Sequence, residues 1–125
     1  FDVRINGKSM PCQKPPWGKL TAVDTSSGNI AWQIPLGITE GLTVDKQRTG
    51  RPGRAGAIIT GSNLLFIAAT DDNYFRALDA TSGEIIWEDG MEQRGNANPM
   101  TFLGSDGKQY VVITATDTVL SYALP

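Results

Sequence analysis

Apolar and polar residues alternate along this chain in short runs, and turn residues punctuate the runs. The alternation predicts strands near 19–24, 30–34, 56–60, 64–70, 74–79, 85–88, 99–103, 109–115 and 118–123. No stretch carries the longer period of a helix. Two hairpins repeat one another. Residues 22–32 read AVDTSSGNIAW and residues 77–87 read ALDATSGEIIW, so Ala22, Asp24, Ser27, Gly28, Ile30 and Trp32 recur in order as Ala77, Asp79, Ser82, Gly83, Ile85 and Trp87. In each copy the Asp carboxylate can accept from backbone N–H groups of the turn, while Gly takes a positive φ that other residues resist. The Trp, placed once per repeat, is expected to pack flat on the neighbouring unit rather than inside its own.

The two copies start 55 residues apart, a little beyond the ~40–50 residues of a four-stranded propeller blade, and a loop insertion accounts for the excess. The fold class that follows is all-β, built of β-propeller blades. Residues 1–37 hold the end of one blade, 38–54 a long loop, 55–90 a complete blade and 91–125 a partial last blade of three strands. Units that bury apolar faces only against neighbours need about three or more repeats, and propeller rings close with ~4–8 blades. About two blades therefore read as part of a larger ring. The partners expected are the remaining blades of a longer polypeptide, or other copies of the chain, four of which would supply eight blades. The last blade lacks its outer strand, a gap that closed propellers can fill with a strand from the other end of the polypeptide.

Charge narrows the field by exclusion. Thirteen acidic and eleven basic residues are mixed along the chain, which gives no basic stripe for nucleic acid. No apolar run approaches the ~20 residues of a membrane span. The opening FDVRINGKSMP has no signal-peptide pattern and reads as mid-protein sequence. Histidine is absent and Cys12 is the single cysteine. A Ser-His-Asp triad, a His-assisted cysteine nucleophile and a His-containing zinc site are thereby excluded within these residues. Cys12 reads as a buried or idle thiol, with a disulfide to other chain as the alternative. Arg48, Arg51 and Arg54 recur at intervals of three in the long loop. They read as a solvated basic segment, or as a lid or a site for an anionic cofactor. Asn-Gly at 6–7 and Ser-Asp-Gly at 105–107 are hairpin signals without chemistry of their own.

The repeated pattern A-x-D-x-x-x-G-x-x-x-W resembles the tryptophan-docking motif of the quinoprotein dehydrogenases, eight-bladed propellers that bind pyrroloquinoline quinone (PQQ). On that resemblance Ala22, Asp24, Gly28 and Trp32, with Ala77, Asp79, Gly83 and Trp87, are blade-docking residues. The stretches PCQKPPWGKLTAVD, LLFIAATDDNYFRALDATSGEIIW, GNANPMTFLGSDGKQYVVITA and SYALP look, in that order, like the C-terminal part of quinoprotein glucose dehydrogenases. The similarity runs from Pro11 onward, apart from the loop near 38–54.

The resemblance implies oxidation of an aldose at its anomeric hydroxyl to a lactone, with electrons passed to an acceptor such as ubiquinone. It implies PQQ as cofactor, a Ca or Mg ion, and a periplasmic location. The family's catalytic Asp and main cation ligands fall upstream of the region resembled, so no catalytic residue and no metal ligand is expected here, and the isolated chain is expected to be inactive. Asp72 occupies the T-x-D position at a strand end, where the family's Asp faces the quinone region and can orient an Arg or Lys. Arg76, Asn96 and Asn98 complete the cofactor-side candidates; each has an ordinary structural reading in a strand or turn. Trp17, after two prolines, either lines a pocket or packs.

Two departures bear on substrate. The family's Gly-rich, His-bearing loop after the V-V-I strand is missing between ITAT and DTVLSYALP, and A-G-A at 55–57 replaces G-G-P. A second reading is a non-enzymatic propeller scaffold or binding module of the bacterial envelope, which would keep only the docking hairpins.

Overall fold

The computed structural model describes residues 2–5 and 7–123. All nine expected strands are present: β3 Lys19–Val23, β4 Ile30–Pro35, β5 Ala57–Ile59, β6 Leu64–Ile67, β7 Tyr74–Asp79, β8 Ile85–Gly90, β9 Met100–Leu103, β10 Gln109–Ala115 and β11 Thr118–Ala123. Two further strands, β1 Asp2–Ile5 and β2 Lys8–Pro11, pair antiparallel around Gly7, whose φ is 79°. Asp2–Ile5 does alternate polar and apolar, but the run is only four residues long and its partner strand, KSMP, does not alternate. Only the Asn-Gly signal pointed there, and Asn6 itself lies outside the described residues. The chain forms two compact units, Phe1–Pro52 and Gly53–Pro125.

In the first unit β3 and β4 form a two-stranded sheet separate from β1–β2. The long loop does not hang free as a lid. Leu36 N–H donates to Gly18 C=O at 3.1 Å, Arg51 N–H to Leu36 C=O at 2.7 Å, and Trp17 N–H to Thr49 C=O at 2.7 Å. Buried Thr39 and Thr49 join hydroxyls at 2.7 Å. The glycines here permit this close crossing: a Cβ on Gly50 would stand 2.0 Å from the Gly18 carbonyl oxygen, and one on Gly18 2.1 Å from that of Arg51. The loop's one regular element is a single 3-10 turn at Val44–Lys46.

The second unit stacks a four-stranded antiparallel sheet, β5-β6-β7-β8, on a three-stranded one, β11-β10-β9. Its core is Ala68, Phe75, Met91, Val111, Ile113 and Ala115. Central β7 buries Phe75, Arg76, Ala77 and Leu78 in succession, as a strand covered on both faces must. Burying a side chain the size of Phe75 is worth roughly 1.5–3 kcal/mol.

The sequence repeat returns as a repeat of geometry. Ala22 pairs with Trp32 and Val23 with Ile30; Ala77 pairs with Trp87 and Leu78 with Ile85, and the register shifts at the same step in both. Gly28 and Gly83 take φ of 74° and 78°, donating to the carbonyls of Asp24 at 2.7 Å and Asp79 at 2.8 Å. Asp24 Oδ1 accepts the Ser26 amide at 2.8 Å, and Asp79 Oδ1 the Thr81 amide at 2.7 Å. The Ser26 hydroxyl and amide, with the Ser27 hydroxyl, hold the Asp24 carboxyl down to about 2. The amides of Thr81 and Ser82 lower Asp79 in the same way.

Trp87 corrects the expected packing mode. Its ring meets Tyr122 of the neighbouring sheet edge-on, with centroids 5.3 Å apart, and also meets Phe75 of its own sheet edge-on at 5.9 Å. Near-perpendicular ring pairs of this kind follow the aromatic quadrupole, which favours them over a flat sandwich. Tyr122 then donates its hydroxyl to Asp89 of β8 at 3.0 Å, fastening β11 to the other sheet.

Candidate functional site

Antiparallel order sends the loops of the second unit to two opposite ends. At one end lie the approach to β5, the β6–β7 loop (68–73), the β8–β9 loop (91–99) and the β10–β11 turn (116–117); at the other lie the turns at 60–63, 80–84 and 104–108. The first end is knit across its loops. Met91 N–H donates to Asn73 C=O at 2.7 Å and Arg54 N–H to Ala69 C=O at 3.0 Å. Gln93 Nε2 donates to Asp117 at 2.7 Å, and isolated bridges join Gly53 to Thr70 and Gly95 to Ala115.

Asp72 and Arg76 are brought together at this end. The Arg76 and Asp72 side chains are 1% and 2% exposed. Arg76 Nη2 donates to Asp72 Oδ2 at 2.5 Å and Nη1 to Oδ1 at 3.3 Å, a fork on one carboxylate. Thr70 donates its hydroxyl to Asp72 Oδ1 at 2.6 Å and accepts from Arg76 Nη1 at 2.9 Å. The Tyr74 amide also reaches Oδ1 at 3.3 Å. On the other side of the guanidinium, Arg76 Nε donates to Glu88 at 3.0 Å, and the Tyr74 ring lies 5.1 Å from Cζ. A buried guanidinium would be costly without such partners. The carboxylate of Asp72 therefore orients Arg76.

Asn98 and Asn96 sit on the 91–99 loop, both exposed. Asn98 Oδ1 accepts the Gly56 amide at 2.5 Å, tying that loop to the approach of β5. The docking residues belong to the repeated hairpins; in the second unit Ala77 and Trp87 form the cross-strand pair next to that of Arg76 and Glu88. Trp17, in the first unit, lines an open cleft and donates its indole N–H to Gln13 C=O at 2.7 Å. Cys12 is exposed on the same cleft rather than buried. Thr70 and Glu88 were not singled out from sequence. Glu88 is found only through cross-strand register, since it stands opposite Arg76; Thr70 carried a signal in its place two residues before Asp72.

Among the described residues no three His, Cys, Asp or Glu side chains converge to hold a cation. No buried side-chain nitrogen or oxygen among them lacks a hydrogen bond. These residues do not by themselves form a cradle for PQQ or for Ca or Mg.

The chain matches the family model "PQQ: Glucose/ethanol/alcohol dehydrogenase, beta-propeller domain" over residues 2–111. It is 37% identical to quinoprotein glucose dehydrogenase A of Acinetobacter calcoaceticus, over 93% of this chain and 16% of that protein. It is 36% identical to the quinate/shikimate dehydrogenase (quinone) of Acinetobacter baylyi, over 96% and 17%. The large subunit of glycerol dehydrogenase from Gluconobacter thailandicus is 37% identical, over 93% and 18%. Among solved structures, a europium-containing methanol dehydrogenase superposes with a TM-score of 0.60 at 28% identity, covering 76% of this chain and 14% of that one. The chain thus spans about a sixth of the length of these curated relatives. By the family model and these identities, the chain belongs to the PQQ-dependent dehydrogenase β-propeller family.

Proposed function

We propose that this chain forms one flank of the cofactor-facing end of a PQQ-dependent dehydrogenase that oxidises an aldose, glucose-like, at its anomeric hydroxyl to the lactone. The quinone would supply the two-electron chemistry and pass the electrons to an acceptor such as ubiquinone. The observation that carries this reading is that Asp72, Arg76, Asn96 and Asn98 all gather at one loop end of the second unit, opposite the Asp79 turn. In this reading the Asp72–Arg76–Glu88 cluster is a buried, rigid support for that loop end, and the exposed Asn96 and Asn98 side chains of the 91–99 loop flank the anionic quinone. Ca or Mg would be held mainly by residues elsewhere in the protein. The remaining blades would cover the outward face of the three-stranded sheet, where Met100 and Val119 are 57% and 67% exposed. A periplasmic location is proposed from the relatives.

The aldose rests on the stretches from PCQKPPWG to SYALP that look like quinoprotein glucose dehydrogenases; glucose, quinate and glycerol enzymes match the chain at 36–37% identity alike. The whole protein, reconstituted with PQQ and Ca²⁺ or Mg²⁺, should reduce a dye faster with glucose than with quinate or glycerol. Faster reduction with quinate or glycerol would overturn the aldose assignment. No PQQ-dependent reduction with any of the three would leave the scaffold reading.

A further inference from the structure

Exposure alternates along the 91–99 loop and into β9: Arg94, Asn96, Asn98 and Met100 are exposed, whereas Gly95 and Pro99 are buried. The buried positions pin the segment. Gly95 bridges Ala115, and a Cβ there would stand 2.5 Å from that of Ala68. Pro99 restricts the residue before it to extended backbone, so Asn98 is stiff along its main chain. Its side chain is held as well. The Gly56 amide, 42 positions away, donates to Asn98 Oδ1 at 2.5 Å, and a Cβ on Gly56 would stand 2.9 Å from the same oxygen. Glycine at 56 therefore lets the carboxamide lie against the backbone.

That contact fixes which way the carboxamide faces. A backbone N–H can bond to the oxygen of an Asn side chain but not to its NH2 group. Oδ1 is thereby taken, and Nδ2, which has no protein partner among the described residues, is the end left for a ligand. Nδ2 carries two donors and no acceptor. An unrestrained Asn turns to suit a donor or an acceptor alike; this one can only donate.

We propose that Asn98 is a donor of fixed orientation that selects an acceptor oxygen of the quinone, a carbonyl or a carboxylate. The inference rests on the reading that this loop end faces the cofactor. Because the carboxamide is set before the ligand arrives, little rotamer freedom is lost on binding. Gly56 is then a positioning residue that acts through Asn98.

The test is absorbance titration of the whole protein with PQQ, paired with a urea midpoint for each variant. Asn98→Ala is expected to raise the dissociation constant about tenfold or more, as loss of a hydrogen bond to a charged oxygen gives, and to lower the midpoint. Asn98→Asp keeps an acceptor for the Gly56 amide, so its midpoint should match the wild type while PQQ binds at least as weakly as in Asn98→Ala. Alanine adds no charge and aspartate loosens no contact, so weaker binding in both variants points to the lost donor. Unchanged affinity in either variant would overturn the inference. Weaker binding in Asn96→Ala but not in Asn98→Ala would overturn it alone, whereas no PQQ binding by the wild type would overturn the cofactor-facing reading with it.

Discussion

Arg76 makes four side-chain hydrogen bonds while 1% exposed. Its nitrogens are shared among Thr70, Asp72 and Glu88. Removing one member of a buried ion pair typically costs 3–5 kcal/mol, because the partner's charge stays buried. Asp72→Ala is accordingly expected to destabilise the chain by about 3–5 kcal/mol, read from urea unfolding. Asp72→Ala combined with Arg76→Met is expected to recover part of that loss, since both charges leave together. Asp72 and Arg76 were legible in the sequence as one short stretch, T-D-D-N-Y-F-R. Glu88 was not, because its partnership depends on strand register rather than on proximity in sequence.

Tyr122 gives a pH signature at the same scale. Burial, and then its hydrogen bond to Asp89, push the phenol up to about 12. The unfolded phenol titrates near 10, so the native state favours the protonated form. That contribution is fully present below pH ~10 and is lost as pH rises through about 12. Urea midpoints of the wild type should fall between pH 10 and 12 more steeply than those of Tyr122→Phe. Parallel curves would contradict the contact.

At the scale of elements, the repeated hairpins were the most legible feature, since Asp, Gly and the pairing of Ala with Trp each follow from local turn chemistry. The mode of Trp packing was not legible, because it depends on which ring the neighbouring sheet presents. The β10–β11 turn shows a strain that the sequence only hinted at through its missing loop. Thr116, a β-branched residue, takes φ of 59° there, in a region costing L-residues about 1–2 kcal/mol. Asn tolerates this conformation better. Thr116→Asn is therefore expected to stabilise the chain by roughly 1 kcal/mol, measured by denaturant midpoint; a destabilisation would mean that the Thr116 hydroxyl, 3.4 Å from the Arg94 carbonyl oxygen, outweighs the strain.

At the scale of the whole molecule, short alternating runs and a 55-residue repeat were enough to indicate a propeller, and the family match agrees. What the sequence left unplaced was the pair of strands flanking the Asn-Gly signal and the tight closure of the long loop. The alternating run of β1 is only four residues long and β2, KSMP, has none, and the contacts of Gly18 with Gly50 and Arg51 join positions far apart in the chain. The assignment of candidate residues to one end of the second unit rests on strand order, and it makes the two ends inequivalent. The most direct measurement is the PQQ dissociation constant, by absorbance titration, of the whole protein carrying Asn96→Ala at one end or Asp106→Asn at the other. The account predicts binding weaker by about tenfold or more for Asn96→Ala, as loss of one hydrogen bond to an anionic ligand would give, and no change for Asp106→Asn. Unchanged affinity in Asn96→Ala, or equal losses in both variants, would contradict it.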